Sequence, residues 1–267
     1  MLSRMNRVFF VGLCLTGTLP CALIVVPNSV TSIEAPNGNT TPYDAADLIG
    51  GTSVRYQEVF DGSQVSPAGV PILITGINYR PDATFGRAFS ATIASIRIDL
   101  GTTSAMPSCD ASGVCHSGGK LSTIFANNVR PDDVIVFPTG PLSLSSAFTG
   151  PAGGPKDFDI HISLVTPFLY NPAIGNLLLD VRNFSGERTT AFDEYDNHGG
   201  AARAFARNPG NVNSTIADAS DGGALVTQFE FTEVPEVSTG WLTVIPLFGL
   251  YAVARTRRLD AIAPSPF

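Results

Sequence analysis

The interior of this chain alternates between apolar and polar residues. Along Asp157-Phe158-Asp159-Ile160-His161-Ile162-Ser163-Leu164 every second side chain is apolar. Phe158, Ile160, Ile162 and Leu164 therefore share one face, and Asp157, Asp159, His161 and Ser163 share the other. Residues 94–100 repeat the pattern with Arg97 and Asp99 outward, and residues 225–231 repeat it with Gln228 and Glu230 outward. A period of two with one apolar face is the mark of a strand in a half-buried antiparallel sheet. Further strands are predicted over Val54–Phe60, Ile72–Tyr79, 121–125, 134–137, 177–184, 189–195 and Ala201–Ala206. Turn-forming clusters separate them, among them Gly69-Val70-Pro71, Arg80-Pro81-Asp82, Asn171-Pro172 and Asp221-Gly222-Gly223. No long amphipathic helix stands out. Many short strands with turn signals between them predict an all-β fold, an antiparallel β-sandwich of jelly-roll type. Phe60, Phe125, Phe137, Phe158, Phe184, Phe229 and Phe231 supply large apolar side chains for the layer between its sheets.

The alternation fails at both ends of the chain. Residues 8–26 are nearly all apolar and follow Arg4 and Arg7, the pattern of a secretory signal segment that is set aside from the fold. Val30-Thr31-Ser32 and Ile33-Glu34-Ala35 are the candidate cleavage sites, which gives a signal segment over 1–35 and an ectodomain over 36–233. Cys21 follows Thr18-Leu19-Pro20, a poor lipidation context, so Cys14 and Cys21 read as small apolar residues of the leader. At the other end, residues 237–254 form an uncharged run long enough for one transmembrane helix. Trp241 and Tyr251 lie near its two ends, where amphipathic rings favour the interface. Arg255, Arg257 and Arg258 act as a membrane stop, and by the positive-inside rule the tail 259–267 is cytoplasmic and the body faces outward.

Val234-Pro235-Glu236, the apolar span and the arginine cluster together resemble the PEP-CTERM sorting signal of bacterial exported proteins. The resemblance covers residues 234–258. It implies an exosortase, a membrane cysteine protease-transpeptidase, that reads Pro235-Glu236 and cuts nearby, and it implies a link to extracellular polysaccharide. Val237 stands where the family has a second proline, so removal of the segment and permanent anchoring both stay open. Residues 121–128, 143–160 and Asn176–Asn183 also look like the body of PEP-CTERM surface proteins that lack a known activity.

Charge narrows the partners. Residues 36–233 hold 11 Lys+Arg against 20 Asp+Glu, a net charge of −9, which argues against nucleic acid and anionic lipid. Cys109 and Cys115 lie six apart, and in an exported chain a disulfide closing that small loop is the default. His116 adjoins them, but one histidine and two cysteines fall short of a structural zinc set.

Candidate chemistry is sparse. No G-x-S-x-G, H-E-x-x-H or glycine-rich phosphate loop occurs. His161 is flanked by Asp159 and Ser163, yet side-by-side neighbours on a strand do not give the hydrogen-bond order of a triad, and a solvated polar face is the plainer reading. Arg80-Pro81-Asp82 and Arg130-Pro131-Asp132 both read as turns. The acidic stretch Asp193, Glu194, Asp196 and Asn197 could offer oxygens to Ca²⁺, with Asp218 and Asp221 joining if the fold brings them close. With Tyr195 and His198 beside it, the same stretch could bind a sugar, and a hydrated hairpin loop is the plain alternative. Trp241, the one tryptophan, lies in the span, which weighs against an aromatic sugar platform. The expectation is a noncatalytic structural protein, exported and held at the inner membrane before processing, then placed at the cell surface or in the extracellular matrix. Its partners would be the Sec export machinery, an exosortase, the membrane and extracellular polysaccharide. It needs no cofactor beyond the candidate Ca²⁺. A glycan- or calcium-binding module and, behind it, a surface hydrolase are the alternatives.

Overall fold

A computed structural model describes residues 21–44, 53–107, 121–196, 200–207 and 212–234. Thirteen strands run through them: β1 (Ala22–Val26), β2 (Asn37–Asn39), β3 (Val54–Phe60), β4 (Ile72–Tyr79), β5 (Phe89–Thr103), β6 (Val134–Ser146), β7 (Ile160–Tyr170), β8 (Asn176–Asn183), β9 (Phe192–Tyr195), β10 (Ala201–Ala206), β11 (Ala219–Asp221), β12 (Ala224–Leu225) and β13 (Thr227–Glu233). Every paired strand is antiparallel. A four-stranded sheet has the order β1-β13-β4-β7, a six-stranded sheet β11-β10-β3-β8-β5-β6, and a small third sheet β12-β9-β2. The two larger sheets form a β-sandwich-like, all-β fold.

The core between them follows from the alternation. Ile160 and Ile162 of β7 pair with Tyr79 and Ile77 of β4, and Phe229 of β13 pairs with Ile77 from the other side. These side chains are buried against Tyr56, Phe60, Ile96, Ile98, Leu179 and Val181 from the six-stranded sheet. Phe60 meets Phe229 edge to face across the layer, with ring centres 5.0 Å apart. His161 and Ser163 point outward as the sequence pattern requires.

Residues 22–35 take part in the folded domain, since β1 pairs along its whole length with β13. Other expectations need correction. Residues 121–125 form no strand; this segment makes an isolated bridge and a 3-10 turn over Phe125–Asn128, and it covers the outer face of the six-stranded sheet. Leu121 and Phe125 pack there on Val59, Leu178, Ala202 and Ala204. Under that cover Asp99 is buried rather than outward, held by two hydrogen bonds from Arg97 Nε and a third from Nη2. Gln228 and Glu230 are half-buried because Asn78 draws them together, donating to Gln228 Oε1 at 3.2 Å and Glu230 Oε1 at 2.9 Å. Cys109, Cys115, Pro235, Glu236, the apolar run 237–254 and the arginine stop lie outside the described residues. Among the described residues no helix is long and apolar enough to cross a membrane.

Because β1 and β13 run antiparallel, Ala22 opposite Phe231, the domain starts and ends at the same end of the four-stranded sheet.

Candidate functional site

The sequence-predicted acidic stretch is only partly a loop. Asp193 and Glu194 sit in β9, buried, while Asp196 is exposed beyond it and Asn197 and His198 lie outside the described residues. Asp193 is fully buried and pairs with Arg80, which is itself 1 % exposed; Arg80 Nε donates to Asp193 Oδ2 at 2.7 Å. The guanidinium donates further to the carbonyls of Val30 (2.9 Å), Thr31 (3.4 Å) and Ile33 (2.6 Å), and its plane lies 5.0 Å from the Phe158 ring centre. The Ala35 amide reaches Asp193 Oδ1 at 3.2 Å. Arg80 therefore knots three chain segments: the start of the domain, the end of β4 and the start of β9.

Two more carboxylates face this knot. Glu34 accepts from the Ala83 amide at 2.5 Å, and Asp82 accepts from the amides of Thr84 (2.8 Å) and Phe85 (2.5 Å). The Asp82 bonds are those of a turn in Arg80-Pro81-Asp82, as its sequence suggests. Oxygens of Glu34, Asp82 and Asp193 lie within 4.8 Å of one another. Gly38 of β2 permits this crowding, because a Cβ there would come 2.9 Å from Asp82 Cγ. Burial pushes the Glu34 carboxyl up, against the Ala83 amide, and burial likewise raises Asp193 against the pull of Arg80. Arg80 already occupies the place of a cation beside Asp193. The arrangement is that of an ion-pair clasp.

Glu194 belongs to a second arginine. Arg203 on β10 donates to Glu194 and, through Nε at 2.8 Å, to Asp221. Asp221 thus lies near the acidic stretch, with a guanidinium between the carboxylates. Close by, Glu58 is fully buried and accepts from the Tyr56 hydroxyl at 2.6 Å. Burial raises its carboxyl to about 8, although Tyr56, the Leu225 amide and Arg203 favour the charged form.

The polar groups around His161 are not ordered as a triad. His161 Nδ1 lies 2.9 Å from Asn78 Oδ1, and Asp159 accepts from the Ala147 amide instead. His116 falls outside the described residues.

A depression of about 230 Å³ lies beside the Arg80 clasp. Thr190 and Asp44 line it, Gly38 and Thr40 form one wall, and Phe85, Arg87 and Arg188 complete it. Phe85 is 67 % exposed. The Arg87 amide donates to Thr190 Oγ1 at 2.9 Å. Two arginines, the Asp44 carboxylate, threonine hydroxyls and an exposed aromatic ring thus border one depression. Sequence reasoning missed this grouping, since Arg87 and Arg188 lie on separate loops; the turn signal at Arg80-Pro81-Asp82 fixed one of them. Comparison with protein-family models, with curated proteins and with solved structures found no match.

Proposed function

We propose that this is an exported, noncatalytic structural protein of the cell surface or extracellular matrix, delivered by an exosortase-type system. The observation that carries the reading is where the domain stops. β13 ends at Glu233 and the PEP-CTERM-like motif begins at Val234, so removal of everything beyond the motif takes no strand from the sandwich. Both terminal signals also depart from one end of the four-stranded sheet, which suits a domain presented to a single membrane. In this reading residues 237–254 form the transmembrane helix, Arg255, Arg257 and Arg258 stop it, and a Cys109–Cys115 disulfide forms outside the cytoplasm. The partners are the Sec machinery, the exosortase and extracellular polysaccharide. Replacing Pro235 and Glu236 by alanine is expected to leave export intact and hold the chain at the inner membrane, seen by fractionation and immunolabelling. Normal surface delivery of that variant would end the exosortase part of the proposal.

A second reading, a glycan-binding module, is favoured by the Arg87–Arg188–Phe85 depression rather than by the 193–197 stretch. Its ligand class is a polysaccharide carrying carboxylates. Immobilised oligogalacturonate should retain the protein, neutral glucan should not, and Arg87→Ala with Arg188→Ala should weaken retention about a hundredfold, the loss of two charge-assisted bonds at about 1.5 kcal/mol each. Equal behaviour of the two glycans would remove this reading.

A further inference from the structure

We infer that the mature protein retains Ala22 to Ala35 and that its export leader is cut upstream of Ala22, not at Ser32 or Ala35. The inference rests on the export reading above and adds the place of processing.

The fourteen-residue stretch that a cut after Ala35 would remove is part of the core. Within β1, Ile24 packs against the main core and Val26 is fully buried in it. Val25, Val30 and Ala35 form a second apolar cluster with Val226. Polar groups bind the stretch as firmly. The Asn28 amide donates to Gln64 Oε1 at 2.7 Å, and Val30, Thr31 and Ile33 give the carbonyls that Arg80 needs. Severing the chain after Ser32 leaves that segment held only by noncovalent contacts, and its departure leaves a buried guanidinium short of acceptors. Unpaired buried donors cost far more than the bonds they lose. The departure of β1 would also bare the β13 edge, a row of unpaired backbone groups.

The remaining leader is sufficient. Arg4 and Arg7 precede an apolar run over 8–15, within the usual length of a signal core. Thr16, Gly17, Thr18 and Cys21 then supply the small residues that a membrane signal endopeptidase accepts. The step is peptide-bond hydrolysis: one water is consumed, the leader leaves with a new carboxyl group and the domain gains a new amino terminus.

The test is N-terminal sequencing and intact mass of the full chain recovered after export. A first residue between 16 and 22 is expected. Any first residue from 23 onward overturns the inference and leaves export standing, whereas an intact Met1 on surface-delivered protein overturns both. Chains made without a leader and starting at 22 or at 36 give a second measure. The chain starting at 22 should melt cooperatively. The one starting at 36 should melt lower by about 10 °C or more, or fail to fold. Equal melting temperatures would overturn the structural role assigned to residues 22–35.

Discussion

Glu58 sits in the interior where an apolar residue would be simpler, and its carboxyl is raised to about 8 chiefly by burial. In the unfolded chain the same group titrates near its ordinary value of 4.5. Between these two values the folded state holds a proton that the unfolded state has lost. Stability therefore falls as pH rises from about 4.5 to 8, by up to about 1.4 kcal/mol per pH unit, and levels off above. Glu34, Asp99, Asp193 and Glu194 are raised for the same reason, and Asp133 is raised to about 6, so they act in the same direction. Glu58→Gln keeps an acceptor for Tyr56 and carries no charge at any pH. Urea midpoints should show this variant close to the parent at pH 5 and more stable at pH 8, on the order of 2–4 kcal/mol. An unchanged difference between the two pH values would mean that Glu58 is ionised in the fold. Period-two spacing puts Glu58 on the same face of β3 as Val54, Tyr56 and Phe60, the face that turns into the core, but its charge gives no sign that the position is filled by a buried carboxyl.

At the scale of single elements, period-two reading recovered several strand boundaries, and on β7, where one face meets water, it recovered the faces as well. β3, β4 and β10 have the boundaries that the pattern predicts, and β7 has the predicted faces. Ile160→Asp on β7 should cost about 3–5 kcal/mol, since it places an unpaired charge in the sandwich core. Val165→Asp on the same strand, where the side chain is 64 % exposed, should change stability by no more than about 0.5 kcal/mol. Denaturant midpoints decide it, and equal losses would mean the register of β7 is wrong. The reading failed where a loop covers a sheet. Arg55, Gln57, Asp99 and Asp180 alternate like solvent-facing residues, but the segment around Phe125 roofs them over. Gln57 then bonds Asp180 at 2.7 Å and Asn128 bonds Gln57 at 2.8 Å, a buried network whose polarity is satisfied internally. Alternation reports polarity, and a paired polar group can be buried as readily as a solvated one can be exposed.

For the whole molecule, the all-β class was legible and β1 was not. Ala22-Leu23-Ile24-Val25-Val26 continues the apolar run over 8–26, and hydropathy alone cannot separate a signal core from an edge strand. The Arg80 clasp was partly legible, as a turn motif at 80–82 and an acidic run at 193–196. Their meeting, with Glu34 from a third segment, is a product of long-range folding. The depression beside it has the same origin.

The place of β13 in its sheet has a consequence in time. It lies between β1 and β4, so the first strand of the domain is joined to the rest by the last one. A chain that crosses a membrane amino end first delivers β1 and β4 long before residues 227–233 follow. Pairing across so much sequence closes a very long loop, which slows folding. The four-stranded sheet therefore cannot close until its final strand is available, and its completion waits on the last residues of the domain.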